Sequence, residues 1–168
     1  LQFLLENGRM ERWQQDVLSI IQGEAYYFAP QAQTKILNEG WASFWHTRMM
    51  TQDILTDADL ICYADHHAGT VAMRPGTFNP YKVGLELLRD IEDRWNKGQF
   101  GRDWMLCEDV AAKRDWDTGA MLGREKVFEV RKTHNDVTFI DAFLTEDVVR
   151  KIGLFTTEYD RSAGHWVI

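Results

Sequence analysis

The sequence has 168 residues, of which 45% are apolar and 12% aromatic, and it carries a formal net charge of -7. This bulk is enough for one domain with a real core, so a disordered chain is not expected. The acidic balance lacks the basic stripe that nucleic acid would require, and we expect no nucleic acid partner.

Membrane and export signals are missing from the sequence. No stretch approaches the roughly 18 consecutive apolar residues of a membrane span, and the N-terminus lacks a signal peptide pattern. The two cysteines, Cys62 and Cys107, form no CxxC pair, so no disulfide framework is predicted, and Cys62 has the surroundings of an inert core thiol. We therefore predict a cytoplasmic protein without a membrane span. Because the sequence begins at Leu1 without Met, we expect it to belong to a longer chain.

Apolar residues early in the sequence recur at intervals of three and four, which predicts an amphipathic helix from Met10 to about Tyr27 with one buried stripe. Pro30 is expected to end this helix, because the residue before proline avoids the helical region. A second helix is predicted over residues 31–50 and a third over residues 57–67, before a turn-rich connection that contains Pro75 and Gly76.

The signals for a fourth helix are well defined. Asn79 is typical of a helix cap, Pro80 of a first helical position, and Gly98 of a helix end. The predicted core face contains Val83, Leu87, Leu88, Ile91 and Trp95. The predicted solvated face contains Glu86, Arg89, Asp90, Glu92, Asp93 and Arg94.

The remainder of the sequence predicts shorter elements. In the charged stretch 102–117 the expected anchors are Trp104, Met105, Leu106 and Val110. A helix is predicted over residues 120–132, and two short segments follow over 137–144 and 146–152. Beyond Gly153, the stretches 154–159 and 166–168 favour extended structure around a turn. We thus predict a mainly α fold, with a helical core region over residues 1–152 and the start of a β-containing segment over residues 153–168.

The second predicted helix carries a pair of residues with chemical potential. Glu39 and His46 are seven residues apart, which places them within about 20° of each other on one side of a helix. Glu and neutral His are common zinc ligands, so this helix can contribute to a metal site that another helix completes. The alternative is that both are polar residues on a wet face, or are satisfied by Lys35 and Arg48. The sequence contains no HExxH motif.

Other candidate residues are less informative. His66 and His67 are adjacent and point about 100° apart on a helix, which favours helix-end or hydrogen-bonding roles over joint chelation. His134 and His165 are expected to be surface histidines. Glu24 is a candidate buried acid, with a solvent-facing acid as the alternative. Nucleotide-binding glycine loops and a GxSxG nucleophile motif are both missing.

Several blocks of the sequence resemble the stage V sporulation protein R family. These blocks are Glu24-Ala25-Tyr26-Tyr27-Phe28-Ala29-Pro30-Gln31, Thr34-Lys35, Asn38-Glu39-Gly40-Trp41-Ala42 with Trp45-His46, His67, Asn79-Pro80-Tyr81 with Gly84, Arg124-Glu125-Lys126-Val127-Phe128-Glu129-Val130 and Asn135-Asp136-Val137-Thr138-Phe139-Ile140-Asp141. The resemblance covers nearly the whole sequence and corresponds to the central portion of longer family members.

The family resemblance implies a role in late spore formation, in cortex or coat assembly, without implying a reaction. It also implies that a His-x3-His element lies upstream, so that Glu39 would be a zinc ligand of the gluzincin kind with His46 in or beside the coordination sphere. Two functions follow as expectations. The first is a protein of sporulation or stress physiology that binds other proteins or missing parts of the same chain. The second is a zinc-dependent hydrolase in which Glu39 and His46 hold metal and His46 or Glu24 assists proton transfer.

Overall fold

The chain is mainly helical, as predicted, in a computed structural model that describes residues 1–74, 76–155, 158–162 and 164–167. The helices are α1 (Gln2–Asn7), α2 (Arg12–Ala32), α3 (Lys35–Met49), α4 (Leu60–Thr70), α5 (Pro80–Lys97), α6 (Gly101–Met105), α7 (Val110–Arg114), α8 (Gly123–Thr133), α9 (Asp136–Phe143) and α10 (Glu146–Ile152). A π-helical segment, Met50–Ile54, follows α3 directly. The chain divides into two compact units, Leu1–Lys35 and Ile36–Ile168.

The first unit consists of α1 and α2. A capping box fixes the start of α2, because the Glu11 amide donates to the Gln14 side chain at 2.9 Å and the Glu11 side chain accepts from the backbone in return. The predicted end at Pro30 is wrong, since α2 continues to Ala32. A proline this close to the C-terminal end removes one backbone hydrogen bond without stopping the helix.

The apolar stripe predicted for this helix is present but is not buried. No residue of α2 is buried, and the exposed fraction reaches 67% at Ile20 and 78% at Tyr27. Periodicity indicates which side of a helix is apolar, but it does not supply the surface that covers that side.

In the second unit α5 is the central helix, and its predicted boundaries are confirmed. The Asn79 side chain accepts a hydrogen bond from the Tyr81 amide, and Gly98 ends the helix in the left-handed conformation at φ 74°. Val83, Leu87, Leu88 and Ile91 are buried as predicted, and Trp95 packs against the core while half-buried. Glu86 was expected in solvent, but only 8% of it is exposed.

Four other helices close the core around α5. The buried residues that they contribute are Leu37 and Phe44 of α3, Val127 and Val130 of α8, Phe139 and Phe143 of α9, and Val148 and Ile152 of α10. The predicted helix over 120–132 corresponds to α8, and the two short segments that follow are α9 and α10. The predicted third helix corresponds to α4, which begins three residues later than expected.

The charged stretch before α8 packs less tightly than predicted. Met105, Leu106 and Val110, expected as anchors, are 64%, 65% and 80% exposed, so that prediction is wrong. Cys62, expected in the core, is also exposed. Helices of five residues present only one or two side chains to a neighbour, which leaves the others in solvent.

A carboxylate from a distant part of the sequence fixes the start of α3. The predicted start near residue 31 is wrong, because α2 runs to Ala32 and α3 begins at Lys35. Asp136 accepts hydrogen bonds from the backbone amides of Ile36 and Leu37, each at 2.9 Å. These bonds satisfy two of the four amides that a helix leaves free at its N-terminus.

The C-terminal end contains a two-stranded antiparallel hairpin, β1 (Glu158–Asp160) and β2 (His165–Val167), in which Tyr159 lies opposite Trp166. Six strand residues are too few to support the predicted β-containing segment as a layer of the fold, because an isolated hairpin is marginally stable. The predicted extended structure also included Thr156, Thr157 and Ile168, and the predicted turn-rich connection before α5 included Pro75; these four residues lie outside the described ones. The boundary proposed after residue 152 stays a prediction.

Candidate functional site

A close crossing of two helices positions the candidate site in the second unit. Gly40 of α3 and Gly84 of α5 meet backbone to backbone: a Cβ added at Gly84 would lie 2.3 Å from the Ile36 carbonyl oxygen and 2.6 Å from the Gly40 Cα. No larger residue fits at that separation without moving a helix. The crossing explains why a residue with poor helix propensity occupies the middle of each helix.

The residues beside the crossing include the predicted ligand Glu39. Its carboxylate accepts a hydrogen bond from the Tyr81 hydroxyl, and this bond raises the pKa of Tyr81 above its usual value. The bond joins α3 to the first turn of α5. Glu39 is half-buried, so it does not lie on a fully solvent-exposed face as the alternative interpretation expected.

Three rings form a column along α3 and α4. The Tyr63 ring lies 5.7 Å from the His46 ring and 5.7 Å from the His67 ring, to which it is nearly parallel. The Tyr63 hydroxyl donates to Thr47 Oγ1 at 3.3 Å, which fixes the ring against α3. Tyr63 therefore links the predicted residue His46 to His67, which sequence reasoning had set aside.

The environment of His67 favours the neutral imidazole. Burial lowers the pKa of His67, and the positive charges of Arg89, His46 and Lys82 lower it further, against the opposing effect of Glu86. A neutral imidazole offers one hydrogen-bond donor and one acceptor at pH 7. His67 can therefore accept a proton or a ligand at that pH.

The buried carboxylate of Glu86 balances the cations near this site. Burial raises the pKa of Glu86, but Lys151 and Arg89 more than offset that effect and the pKa is lowered overall. The contacts are short, with 2.8 Å between Lys151 Nζ and Glu86 Oε2 and 2.8 Å between Arg89 and Oε1. Glu86 thus stays ionised and ties α10 to α5.

These side chains surround a cleft of about 320 Å³ between α3, α4 and α5. Its lining consists of Ala42, Ser43, His46, Tyr63, His66, His67, Thr70 and Tyr81. The volume is at the lower end of the range for small-ligand sites, and a largely apolar wall with a few polar groups is typical of them. The cleft can bind a small group and exchange a proton with it through an imidazole.

The predicted site residues are only partly brought together. His46 lines the cleft and Glu39 reaches it through Tyr81, whereas Glu24 lies in the first unit, exposed on α2. Among the described residues, no group of three or more His, Cys, Asp or Glu side chains converges as a metal site requires. The donor set of this part of the chain therefore does not form a zinc site by itself.

Sequence reasoning missed the contributions of Tyr63, His67 and Tyr81. A signal for the first two was available, because residues four apart in a predicted helix share a face. The position of Tyr81 opposite Glu39 depends on the glycine crossing between two helices. A glycine inside a helix, as at Gly40, indicates a close approach by another element, but the sequence does not identify that element as α5.

Comparison with known proteins places the chain in a family. It is similar to the uncharacterized protein YcgB of Escherichia coli (strain K12), with 29% identity over 167 residues, which cover 93% of this chain and 31% of that protein. The chain thus spans about a third of the length of this relative. No solved structure matches it, and no helix in the described ranges is both long and apolar enough to cross a membrane. A family model described as SpoVR like protein matches residues 1–168, and the chain belongs to the SpoVR family.

Proposed function

We propose that this chain is the interaction part of a SpoVR protein that binds other proteins in the cytoplasm and serves spore formation, in cortex or coat assembly, or stress physiology. The observation that carries the proposal is the conformation of Met121. Its backbone has a positive φ of 55°, rare for a residue with a long side chain, and its side chain is 74% exposed.

The surrounding bonds hold Met121 in this strained conformation. Its amide donates to the Asn96 carbonyl at 3.0 Å, and two residues later the Gly123 amide donates to Asn96 Oδ1 at 2.9 Å. These bonds offset the conformational cost of the positive φ at Met121, and its apolar side chain is exposed to solvent. Backbone strain of this kind concentrates at functional positions.

Other exposed apolar residues in the same stretch of sequence support a protein partner. Leu122 is 41% exposed, and Met105, Leu106 and Val110 are more exposed still. Methionine adapts its shape to a partner at little cost and is frequent at binding surfaces. The net charge of -7 over the whole sequence disfavours a nucleic acid as the partner.

Site-specific photocrosslinking in cells tests the proposal. A photoreactive residue is placed at Met121 of the full-length protein and, as a control, at the exposed Glu125 in the first turn of α8. The proposal predicts a defined crosslink to another polypeptide from Met121 and none from Glu125. Equal crosslinking from both positions, or none from either, would contradict it.

The cleft favours a second candidate function, a zinc-dependent hydrolase. The supporting observation is that Tyr81, whose hydroxyl is bonded to Glu39, lines one cavity together with the imidazoles of His46 and His67. Because this part of the chain does not form a complete site, the metal would need ligands from outside the 168 residues, and Glu24 as a proton carrier stays a prediction. Zinc content of the untagged full-length protein tests the idea beside its Glu39→Ala variant: stoichiometric zinc that the variant loses supports it, and no zinc in either rejects it.

A further inference from the structure

The first unit presents an apolar face on one side of α2, interrupted by one acid, Glu24. Its central seam consists of Trp13, Val17, Ile20, Glu24 and Tyr27, at alternating intervals of four and three residues. At 100° per residue these five positions fall within about 80° of each other, with Ile21 and Phe28 beside them. We call the five positions the α2 seam, and their spacing is that of the core positions of a coiled coil.

Helix α1 does not cover the α2 seam. It packs against α2 near Gln22, whose amide donates to the Gln2 side chain, and the residues that line the space between the two helices are Gln22, Ala25, Tyr26 and Ala29 of α2. Their mean direction is about 170° from the middle of the seam. Helix α1 therefore leaves the seam uncovered.

The exposed area is large for a protein surface. Trp13, Val17, Ile20 and Tyr27 are 61%, 48%, 67% and 78% exposed. With side chains of this size the seam leaves several hundred Å² of apolar surface in solvent, at the upper end of what monomeric proteins show. The capping box at Glu11 gives α2 a fixed start without a partner, so the surface is preorganised for docking.

The charges on α2 define what the seam can bind. Glu24 lies in the seam with apolar residues on both sides, so a partner must place a cation opposite its carboxylate. A second copy of this chain does not meet that need: a parallel pair sets Glu24 against Glu24, and an antiparallel pair centred on Ile20 sets it against Asp16. An anionic membrane is also disfavoured, because Arg12 is the only cation of α2.

We propose that the α2 seam is covered by an amphipathic helix from the same full-length polypeptide, outside these 168 residues, with a Lys or Arg opposite Glu24. The length of the E. coli relative supports this source, because this chain accounts for 31% of it. A segment of the same polypeptide is also present at a high effective concentration, which favours docking in cis over docking in trans. The proposal does not depend on the surface around Met121.

Thiol labelling of the full-length protein tests the proposal. One variant carries Ile20→Cys in the seam, and a matched control carries Ser19→Cys, whose exposed side chain points about 100° away. N-ethylmaleimide modification is followed by peptide mapping, so the native cysteines need not be removed. We expect Ile20→Cys to react at least about ten-fold more slowly than Ser19→Cys. Both variants are measured at two protein concentrations about a hundred-fold apart, and we expect the same ratio of rates at each.

Each other outcome of the labelling would overturn the proposal. Equal rates at the two positions would mean that the seam is free or that both sides of α2 are covered. Protection that is lost on dilution would identify a second copy, and protection found only in host extract would identify a separate protein.

The cation has its own test in the Ile20→Cys background. Glu24→Lys should abolish the protection because it sets two cations against each other, whereas Glu24→Gln should retain most of it. Unchanged protection in Glu24→Lys would rule out a cation opposite Glu24.

Discussion

The glycine crossing between α3 and α5 gives a quantitative prediction for Gly84→Ala. The added Cβ would lie 2.3 Å from the Ile36 carbonyl oxygen and 2.9 Å from the Gly40 amide nitrogen, and both are backbone atoms that cannot move aside alone. Overpacking of this kind costs about 1–3 kcal/mol, whereas replacing a helical glycine by alanine gains about 1 kcal/mol. Because helix backbones cannot rotate away as side chains can, we expect the upper part of that range and a net loss of about 1–2 kcal/mol.

A second helical glycine provides the matched control. Gly69 lies in α4 with no atom within 4 Å of an added Cβ, so Gly69→Ala should gain about 0.5–1 kcal/mol. Urea denaturation followed by tryptophan fluorescence measures both variants. As the helices separate in Gly84→Ala, the pKa of Tyr81 should also return towards its usual value, because the bond to Glu39 depends on the crossing. If Gly84→Ala gained as much stability as Gly69→Ala, the crossing would not be the constraint that positions the cleft.

Three further predictions concern capping and charge. Asp136→Ala should lower the free energy of unfolding by about 1–2 kcal/mol, since it removes both side-chain bonds to the start of α3, and an unchanged urea midpoint would argue against this cap. His67 has a lowered pKa in the folded state, so the unfolded chain binds more protons just below pH 6.5 and stability should rise with pH through that window. This rise should be absent in His67→Gln, and pH-dependent unfolding of the two proteins would show whether it is. Lys151→Met removes the main cation that lowers the pKa of Glu86, so the variant should be less stable than the unaltered protein above about pH 4.5, and this difference should shrink at lower pH because protonated Glu86 gains nothing from Lys151; a difference in unfolding free energy that does not change with pH would contradict that assignment.

The sequence predicted α5 well because its signals are local. Asn79, Pro80 and Gly98 each act through their own backbone geometry, and the four apolar positions between them repeat at helical spacing. Burial of Glu86 on the same helix was not predictable in this way. It depends on Lys151, which is distant in sequence and reaches Glu86 only after α10 packs against α5.

The candidate site shows the same division. Periodicity placed Glu39 and His46 on one side of α3, and helical spacing within α4 could have added His67 through Tyr63. The approach of α3 to Tyr81 depends on the tertiary contact between Gly40 and Gly84. Single-sequence patterns do not identify which helix crosses α3 at Gly40. For α2 the pattern identified the apolar stripe correctly, but burial of that stripe requires a surface that the two helices of the first unit do not supply.

Complementation of a strain that lacks its own SpoVR protein tests the proposed interaction function most directly. Full-length Met121→Gly, Glu39→Ala and His46→Ala variants are compared for the number of heat-resistant spores, or for survival of stress in a host that does not sporulate. Glycine relieves the strain at residue 121 while removing the side chain, so Met121→Gly should fold normally and yet fail to complement, whereas both cleft variants should complement. Full activity of Met121→Gly together with loss of activity in Glu39→Ala or His46→Ala would contradict the interaction function and favour chemistry in the cleft.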